Sequence, residues 1–186
     1  MNEFFLASNR TIQKEDIEIN QITVKDLDKW SQFAEPIRKE LKQDYSDEKA
    51  ESVIKQNKTS ALMLCSLTTN FDTDVFLSIM NTDADKFISI FSEVLVVNKA
   101  YFDQEDAKKT KEKTETTWFD SFQFLISKGH RHKDILDYSF GTFLEYLKAA
   151  QRNERNSLLS FGSAMRVSYH ADSKAYSKYT EEVKKG

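Results

Sequence analysis

Thr23-Val24-Lys25-Asp26-Leu27-Asp28-Lys29-Trp30-Ser31-Gln32-Phe33-Ala34-Glu35-Pro36-Ile37-Arg38-Lys39-Glu40-Leu41 is the stretch whose reading decides the fold. Thr23 and Asp26 stand at capping-box spacing: the hydroxyl can accept from the third amide, and the carboxylate sits at the positive end of the helix. Leu27, Trp30, Phe33, Ile37 and Leu41 then recur every three or four residues and give the helix one apolar face. Pro36 lacks the amide hydrogen and crowds the preceding turn, so a kink or a break is expected there.

The same grammar repeats downstream. Ser46 precedes Asp47, Glu48 and Lys49 as a helix start, with Ala50, Val53 and Ile54 facing inward. Ser60-Ala61-Leu62-Met63-Leu64-Cys65-Ser66-Leu67 carries no charge and is apolar almost all round, as the most buried helix of the front half should be. Asp72 or Asp74 can cap Val75 to Met80, and Thr82 with Asp85 opens a helix over Phe87, Ile88, Phe91, Leu95 and Val96 towards Tyr101 and Phe102. Upstream, Ile17-Glu18-Ile19 alternates as a brief strand or extended arm does.

Residues 104–115 hold no large apolar side chain, and such a stretch cannot offset its ordering entropy by joining a core, so it reads as a linker or exposed connector. Beyond it, Thr117 and Asp120 cap a helix with Trp118, Phe122, Leu125 and Ile126 on one side, ended by Gly129 in a left-handed conformation. After Gly129, His130 to Tyr138 reads as a short helix. Ser139 then caps Phe140, Phe143, Leu144 and Leu147 through Ala150, and Arg152 to Val183 reads as a final long, mostly polar helix. The expected fold is therefore mainly α: two small helical domains, 1–103 and 116–186, joined by the charged linker 104–115, with a short extended or β N-terminal arm.

Composition narrows function. The chain has 186 residues, 39% hydrophobic and 31% charged, and its four glycines all lie past residue 128, which excludes a Gly-rich phosphate loop. One cysteine, Cys65, forms no internal disulfide and no Cys-rich metal ribbon, and points to a cytosolic setting. Phe4, Phe5 and Leu6 stop well short of a signal peptide, and no run reaches the roughly 18 apolar residues of a membrane span. Residues 1–103 carry 12 Lys and Arg against 18 Asp and Glu, while residues 116–186 carry 11 against 8. That small basic excess is a weak footprint for nucleic acid.

Candidate chemistry is sparse. His130, His132, Asp134 and His170 resemble metal ligands by type, but histidines two apart do not share a helix face, and the bland reading is a solvated basic turn that complements a helix C-terminus. Cys65 lies in the charge-free segment with no His or Lys to lower its pKa, so it reads as inert. Carboxylates such as Glu35, Glu93, Asp134 and Asp137 form no acid and base pair. No catalytic residue, metal site or cofactor is expected. Trp118 to Leu147 has the outline of a helix-turn-helix, yet its second helix offers Phe140, Phe143, Glu145 and Tyr146 instead of Arg, Asn or Gln. The last helix interleaves Arg152, Arg155 and Arg166 with Phe161, Tyr169, Tyr176 and Tyr179, the residue types enriched at protein interfaces. Packing on a partner and packing on its own domain both fit that pattern.

In order along the chain, several fragments resemble the tail assembly chaperones of long-tailed phages, non-virion proteins of the host cytoplasm. They are Ile22-Thr23-Val24-Lys25-Asp26-Leu27 followed by Ala34-Glu35-Pro36-Ile37, then Val96-Val97-Asn98-Lys99-Ala100-Tyr101-Phe102. In the back half they are Leu125-Ile126-Ser127-Lys128-Gly129-His130-Arg131-His132-Lys133-Asp134-Ile135-Leu136-Asp137-Tyr138 and Tyr146-Leu147-Lys148-Ala149-Ala150-Gln151-Arg152. Tyr101 departs from the phenylalanine usual at that place, and the first twenty residues match no part of the pattern. The resemblance implies a front segment that coats the tape measure protein, and a back segment, added by ribosomal frameshifting, that recruits the major tail tube protein. Lys108-Lys109 is a compatible place for the frameshift.

On that reading Trp30, Phe33, Phe91 and Tyr101 are the candidates for tape measure binding, with core packing as their alternative. Arg152, Arg155, Phe161, Arg166 and Tyr169 are the candidates for tail tube binding. Self-association on the tape measure is a further expectation; a membrane is not, nor is nucleic acid. The alternative function is a small helical nucleic-acid-binding or host-interaction regulator built on residues 118–147.

Overall fold

The computed structural model describes residues 11–104 and 117–185, so the expectations for Phe4, Phe5 and Leu6, for residues 105–115 of the linker and for Lys108-Lys109 lie outside the described residues. Two short strands form an antiparallel hairpin, β1 (Ile12–Lys14) and β2 (Ile17–Ile19), with Ile12 opposite Ile19 and Lys14 opposite Ile17. Glu15 takes the left-handed φ of 55° that so tight a reversal requires. Ile17 and Ile19 point inward and are buried, as alternation along a strand dictates.

A 3-10 turn (Val24–Asp26) leads into α1 (Leu27–Leu41), followed by α2 (Asp47–Gln56), α3 (Lys58–Thr68), α4 (Thr73–Thr82), α5 (Ala84–Val97) and the single turn α6 (Lys99–Phe102). After the undescribed stretch come α7 (Trp118–Ser127), α8 (His132–Asp137), α9 (Phe140–His170) and α10 (Ser173–Lys185). The chain is mainly α with a short β hairpin near its start, as the periodicities predict.

Local details depart from the sequence reading in four places. Thr23 Oγ1 donates to the Asp26 carboxylate at 2.6 Å and accepts no amide, because the intervening 3-10 turn delays the helix to Leu27. Of the kink or break expected at Pro36, the break is absent, since helix α1 runs on through it. Pro36 and Gln32 both lie on the exposed side, so the carbonyl that proline leaves unpaired can reach water, while Leu27, Trp30, Ala34, Ile37 and Leu41 are packed along both halves. The cap of α5 is Asp83, whose carboxylate accepts from Lys86 N at 3.0 Å, because Thr82 still belongs to α4 and donates to Ser78 O. Finally, no helix ends near Ala150: α9 is continuous over 31 residues, and the break falls at Ala171-Asp172, where Asp172 caps α10 by accepting from Ala175 N at 2.8 Å.

The capping expectations at Ser46, Asp72, Thr117 and Ser139 correspond to observed bonds to Lys49 N, Val75 N, Asp120 N and Thr142 N. At Thr117 both halves of the capping box are made. Gly129, at φ 97°, occupies the left-handed position that closes α7, where a side chain would be strained.

Core packing follows the apolar faces. Helices α3 and α5 share the centre, burying Ala61, Leu62, Leu64 and Cys65 from the first and Phe87, Ile90, Phe91, Val94, Leu95 and Val97 from the second. Burial pushes the Cys65 thiol far up, which keeps it protonated and unreactive. Asn98 is the main buried polar joint. Its Oδ1 accepts from Ile22 N at 2.7 Å, and its Nδ2 donates to Asn20 O and Val94 O.

The described residues as far as Tyr146 form one compact unit, and those from Leu147 form a second. The sequence reading set its boundary at the linker instead. Within the first unit, Val24 N donates to Tyr138 O at 2.9 Å and Phe140 N donates to Ile22 O at 2.8 Å, an antiparallel clasp that joins residues 22–24 to 138–140. Lys25 closes the same seam from outside, 2.9 Å from Asp137.

Candidate functional site

The clasp brings the ends of three segments to one groove. Its floor is apolar: Val24 from the 3-10 turn, Leu27 from the start of α1, Tyr101 from α6, Trp118 and Phe122 from α7, Leu136 from α8 and Phe140 from α9. The groove encloses about 640 Å³. Such a lining is what remains when the helix faces meet edgewise. Phe140 is buried against Tyr101 and Trp118, with ring centroids 5.7 and 6.3 Å away, while Trp118, in the first turn of α7, keeps half its surface in solvent. Phe119 beside it is 78% exposed.

One wall is polar. Arg38 holds Glu35 through two parallel bonds of 2.9 and 3.0 Å and donates a third, at 2.8 Å, to Gln104 O. The Arg38 guanidinium keeps the Glu35 carboxyl below its usual range, with help from Lys39 at 3.5 Å. Tyr101 turns its hydroxyl towards Glu35, and burial of the ring pushes the phenol up to about 12. Asp28, exposed on the rim, has no ion-pair partner among the described residues. Its lining combines aromatic surface with a short row of fixed polar groups, the composition that ligand-binding clefts share.

The residues singled out for tape measure binding fall on either side of that surface. Trp30 and Phe91 lie wholly inside the core, at 0% exposure, because large aromatics on the inward stripes of α1 and α5 have the most apolar area to bury. They offer no surface in this structure. Trp30 packs edge-on to Tyr101 at 4.7 Å and 86°, and its indole N–H has no polar acceptor among the described residues. Phe33 is half-buried, away from the groove lining. Tyr101 alone of the four lines the groove. Trp118, Phe122, Leu136 and Phe140 were not among those candidates, because Trp118 and Phe122 belong to the same apolar stripe as the buried Leu125 and nothing local marks them as surface.

In the second unit, Arg152, Arg155, Phe161, Arg166 and Tyr169 are all exposed. Helical spacing sets Phe161 and Tyr169 on one stripe with Leu158 and Met165, exposed by 47–80%. Arg155 and Arg166, eleven residues apart, align to within about 20° on the edge of that stripe, and Arg152 lies further round.

His130 accepts or donates at 2.9 Å with the Tyr138 hydroxyl, and its ring lies 4.9 Å from that of Tyr146, so this histidine belongs to an aromatic cluster. Arg131 pairs with Asp134 at 2.8 Å, and the His132 ring meets Phe122. No group of three potential metal ligands occurs among the described residues. The first turn of the would-be reading helix, Phe140 to Phe143, is buried, so its side chains do not face a nucleic-acid groove. No family model matches the chain, and neither a curated protein nor a solved structure is similar to it.

Proposed function

We propose that the protein is a tail assembly chaperone: it holds helices of the tape measure protein in the groove of the first unit and recruits tail tube subunits through the stripe on α9. The observation that carries this reading is the exposure of large apolar side chains on two separate helical surfaces, Trp118 at the groove with Phe119 next to it in sequence, and Leu158, Phe161, Met165 and Tyr169 on α9. Contiguous exposed apolar patches mark interaction sites. An amphipathic helix laid in an aromatic groove is an established recognition mode, and a long apolar helical partner needs such cover to stay soluble. The ordered motif resemblance supplies the identity of the partners. The activity is binding and not catalysis, and no cofactor takes part.

The test is co-expression of the full chain with the tape measure protein encoded beside it. The partner is expected to become soluble and to co-purify in high salt, because apolar contacts weaken little as ions are added. A partner that stays insoluble, while the chain retains nucleic acid stripped by salt, transfers the reading to the nucleic-acid regulator.

A further inference from the structure

Helix α9 is exposed on every side along its middle, at each residue from Arg155 to Ser163. The same stretch is rich in weak helix formers, Asn156, Ser157, Ser160, Gly162 and Ser163, whereas most helical stability in proteins comes from packing an apolar face. A surface laid on α9 supplies what this stretch lacks. At about 100° per residue its side chains sort into three lengthwise strips. Leu158, Phe161, Met165 and Tyr169 form the apolar one. On one flank stand Arg152, Arg155 and Arg166, within about 60° of arc and with Leu159 among them. All three arginines are exposed and have no ion-pair partner among the described residues. On the other flank Ser157, Ser160, Ala164 and Ser168 are small and uncharged. Ser157 and Ser168 donate their hydroxyls to Asn153 O and Ala164 O at 2.9 Å, so a partner covering this flank has little to desolvate. The one carboxylate between residues 147 and 170, Glu154, is half-buried.

We propose that α9 receives an amphipathic helix of another protein that carries a one-sided row of carboxylates. The partner lies lengthwise, its apolar stripe on Phe161 and Met165, its backbone close over the small flank and its Asp or Glu side chains against the arginines. Arg155 and Arg166 set the spacing. They stand eleven residues and about 16 Å apart along the axis, and eleven residues make almost three whole turns, so carboxylates eleven apart on a facing helix meet both. Arginine suits this task, because a guanidinium pairs a carboxylate through two parallel bonds. A bilayer is served less well: opposite the apolar strip stand Asn156, Ser163 and Val167, where a helix lying on a membrane carries its cations. Nucleic acid is served less well too, since large apolar side chains line the arginines where a phosphate track needs further cations. On the function proposed above, the tail tube subunit carries the acidic helix, and the identity of the partner rests on that reading.

Two labelled synthetic helical peptides, titrated with the full chain and followed by fluorescence anisotropy, test this. Both carry the same leucine stripe; one has glutamates eleven residues apart on one flank, the other lysines at the same places. The glutamate peptide is expected to bind about tenfold or more tightly than the lysine peptide, with a preference that shrinks as salt is raised. Arg155→Glu combined with Arg166→Glu is expected to reverse the preference, and Phe161→Glu to abolish binding of the glutamate peptide. All three positions are exposed, and circular dichroism checks that the variants keep their helicity. Equal affinity for the two peptides, or a preference that survives reversal of the arginines, overturns the proposal. So does a glutamate peptide that fails to bind while phosphatidylglycerol vesicles or a single-stranded oligonucleotide bind through the same arginines. The major tail tube protein, titrated likewise, separates this chemistry from the recruitment proposed above. If it binds the wild type and the arginine double variant alike, the acidic partner helix is wrong and the recruitment stands. If it does not bind while the glutamate peptide behaves as expected, the recruited protein is a different one and the acidic partner helix stands.

Discussion

Val24 donates its backbone N–H to the carbonyl of Tyr138 at 2.9 Å, and this bond, with its neighbour from Phe140 to Ile22, makes the groove. It lies beside the place where the aromatic ends of α6, α7 and α9 meet around Phe140. Phe140, nearly fully buried at the meeting point, is therefore the side chain on which the convergence rests. Phe140→Ala is expected to cost about 3–5 kcal/mol, the usual range for deleting a core phenylalanine. Urea denaturation of the full chain measures it. A loss below about 1 kcal/mol, of the size surface substitutions give, contradicts the packing described.

Asn98 gives a second, polar test. Its side chain satisfies Ile22 N and Asn20 O across 76 to 78 residues of sequence, and the bond to Ile22 is buried. Asn98→Ala leaves the Ile22 donor buried and unpaired, and about 2 kcal/mol or more of stability is expected to go with it. Asn98→Asp keeps an acceptor for Ile22 but loses the amino donor and buries a charge, so it is expected to be destabilising as well. Equal stability of wild type and Asn98→Ala in urea contradicts the role assigned to this joint.

These two joints also mark where the sequence stops being legible. Helix periodicity and four of the caps could be read locally, because Leu27, Trp30, Ile37 and Leu41, or Ser46 and Lys49, declare themselves within a turn or two of chain. The pairing of residues 22–24 with 138–140 leaves no local trace, so the first unit's extension to Tyr146 was not readable. For the same reason the groove was invisible: Trp30 and Phe91 look like Trp118 and Phe122 as residue types, and only tertiary packing decides which are buried. Continuity of α9 was hidden by the polar run after Ala150, which reads as a change of element but contains no residue that stops a helix.

Acid should loosen the first unit in a defined direction. Glu35, held by Arg38, and Asp120, held by the Thr117 amide and hydroxyl, both have folded-state pKa values below the ordinary carboxylate range of about 4. Each contributes stability that is present above its unfolded pKa and is lost as pH falls through its lowered folded value. Urea midpoints are thus expected to decline below about pH 4, and Glu35→Gln to flatten part of that decline. A variant with the wild-type slope contradicts the pairing. At the same helix start, Thr117→Ala removes a cap made in both directions and is expected to cost about 1 kcal/mol at neutral pH.

The two tryptophans separate core from site. Trp30 is fully buried and Trp118 half-exposed, so acrylamide should quench Trp118 and leave Trp30 almost untouched. Trp118→Phe is expected to leave a blue-shifted emission that resists quencher. Strong residual quenching in that variant contradicts the placement of Trp30 beneath Tyr101.

The central claim, that the groove grips an apolar helical partner, is tested most directly by titrating helical segments of the tape measure protein against the full chain while following Trp118 emission, at low and at high salt. A saturable blue shift with loss of acrylamide access, of similar affinity at both salt concentrations and absent in Trp118→Glu as read by a labelled segment, is the predicted result. An emission that no segment alters, or an affinity that collapses as salt is raised, contradicts it.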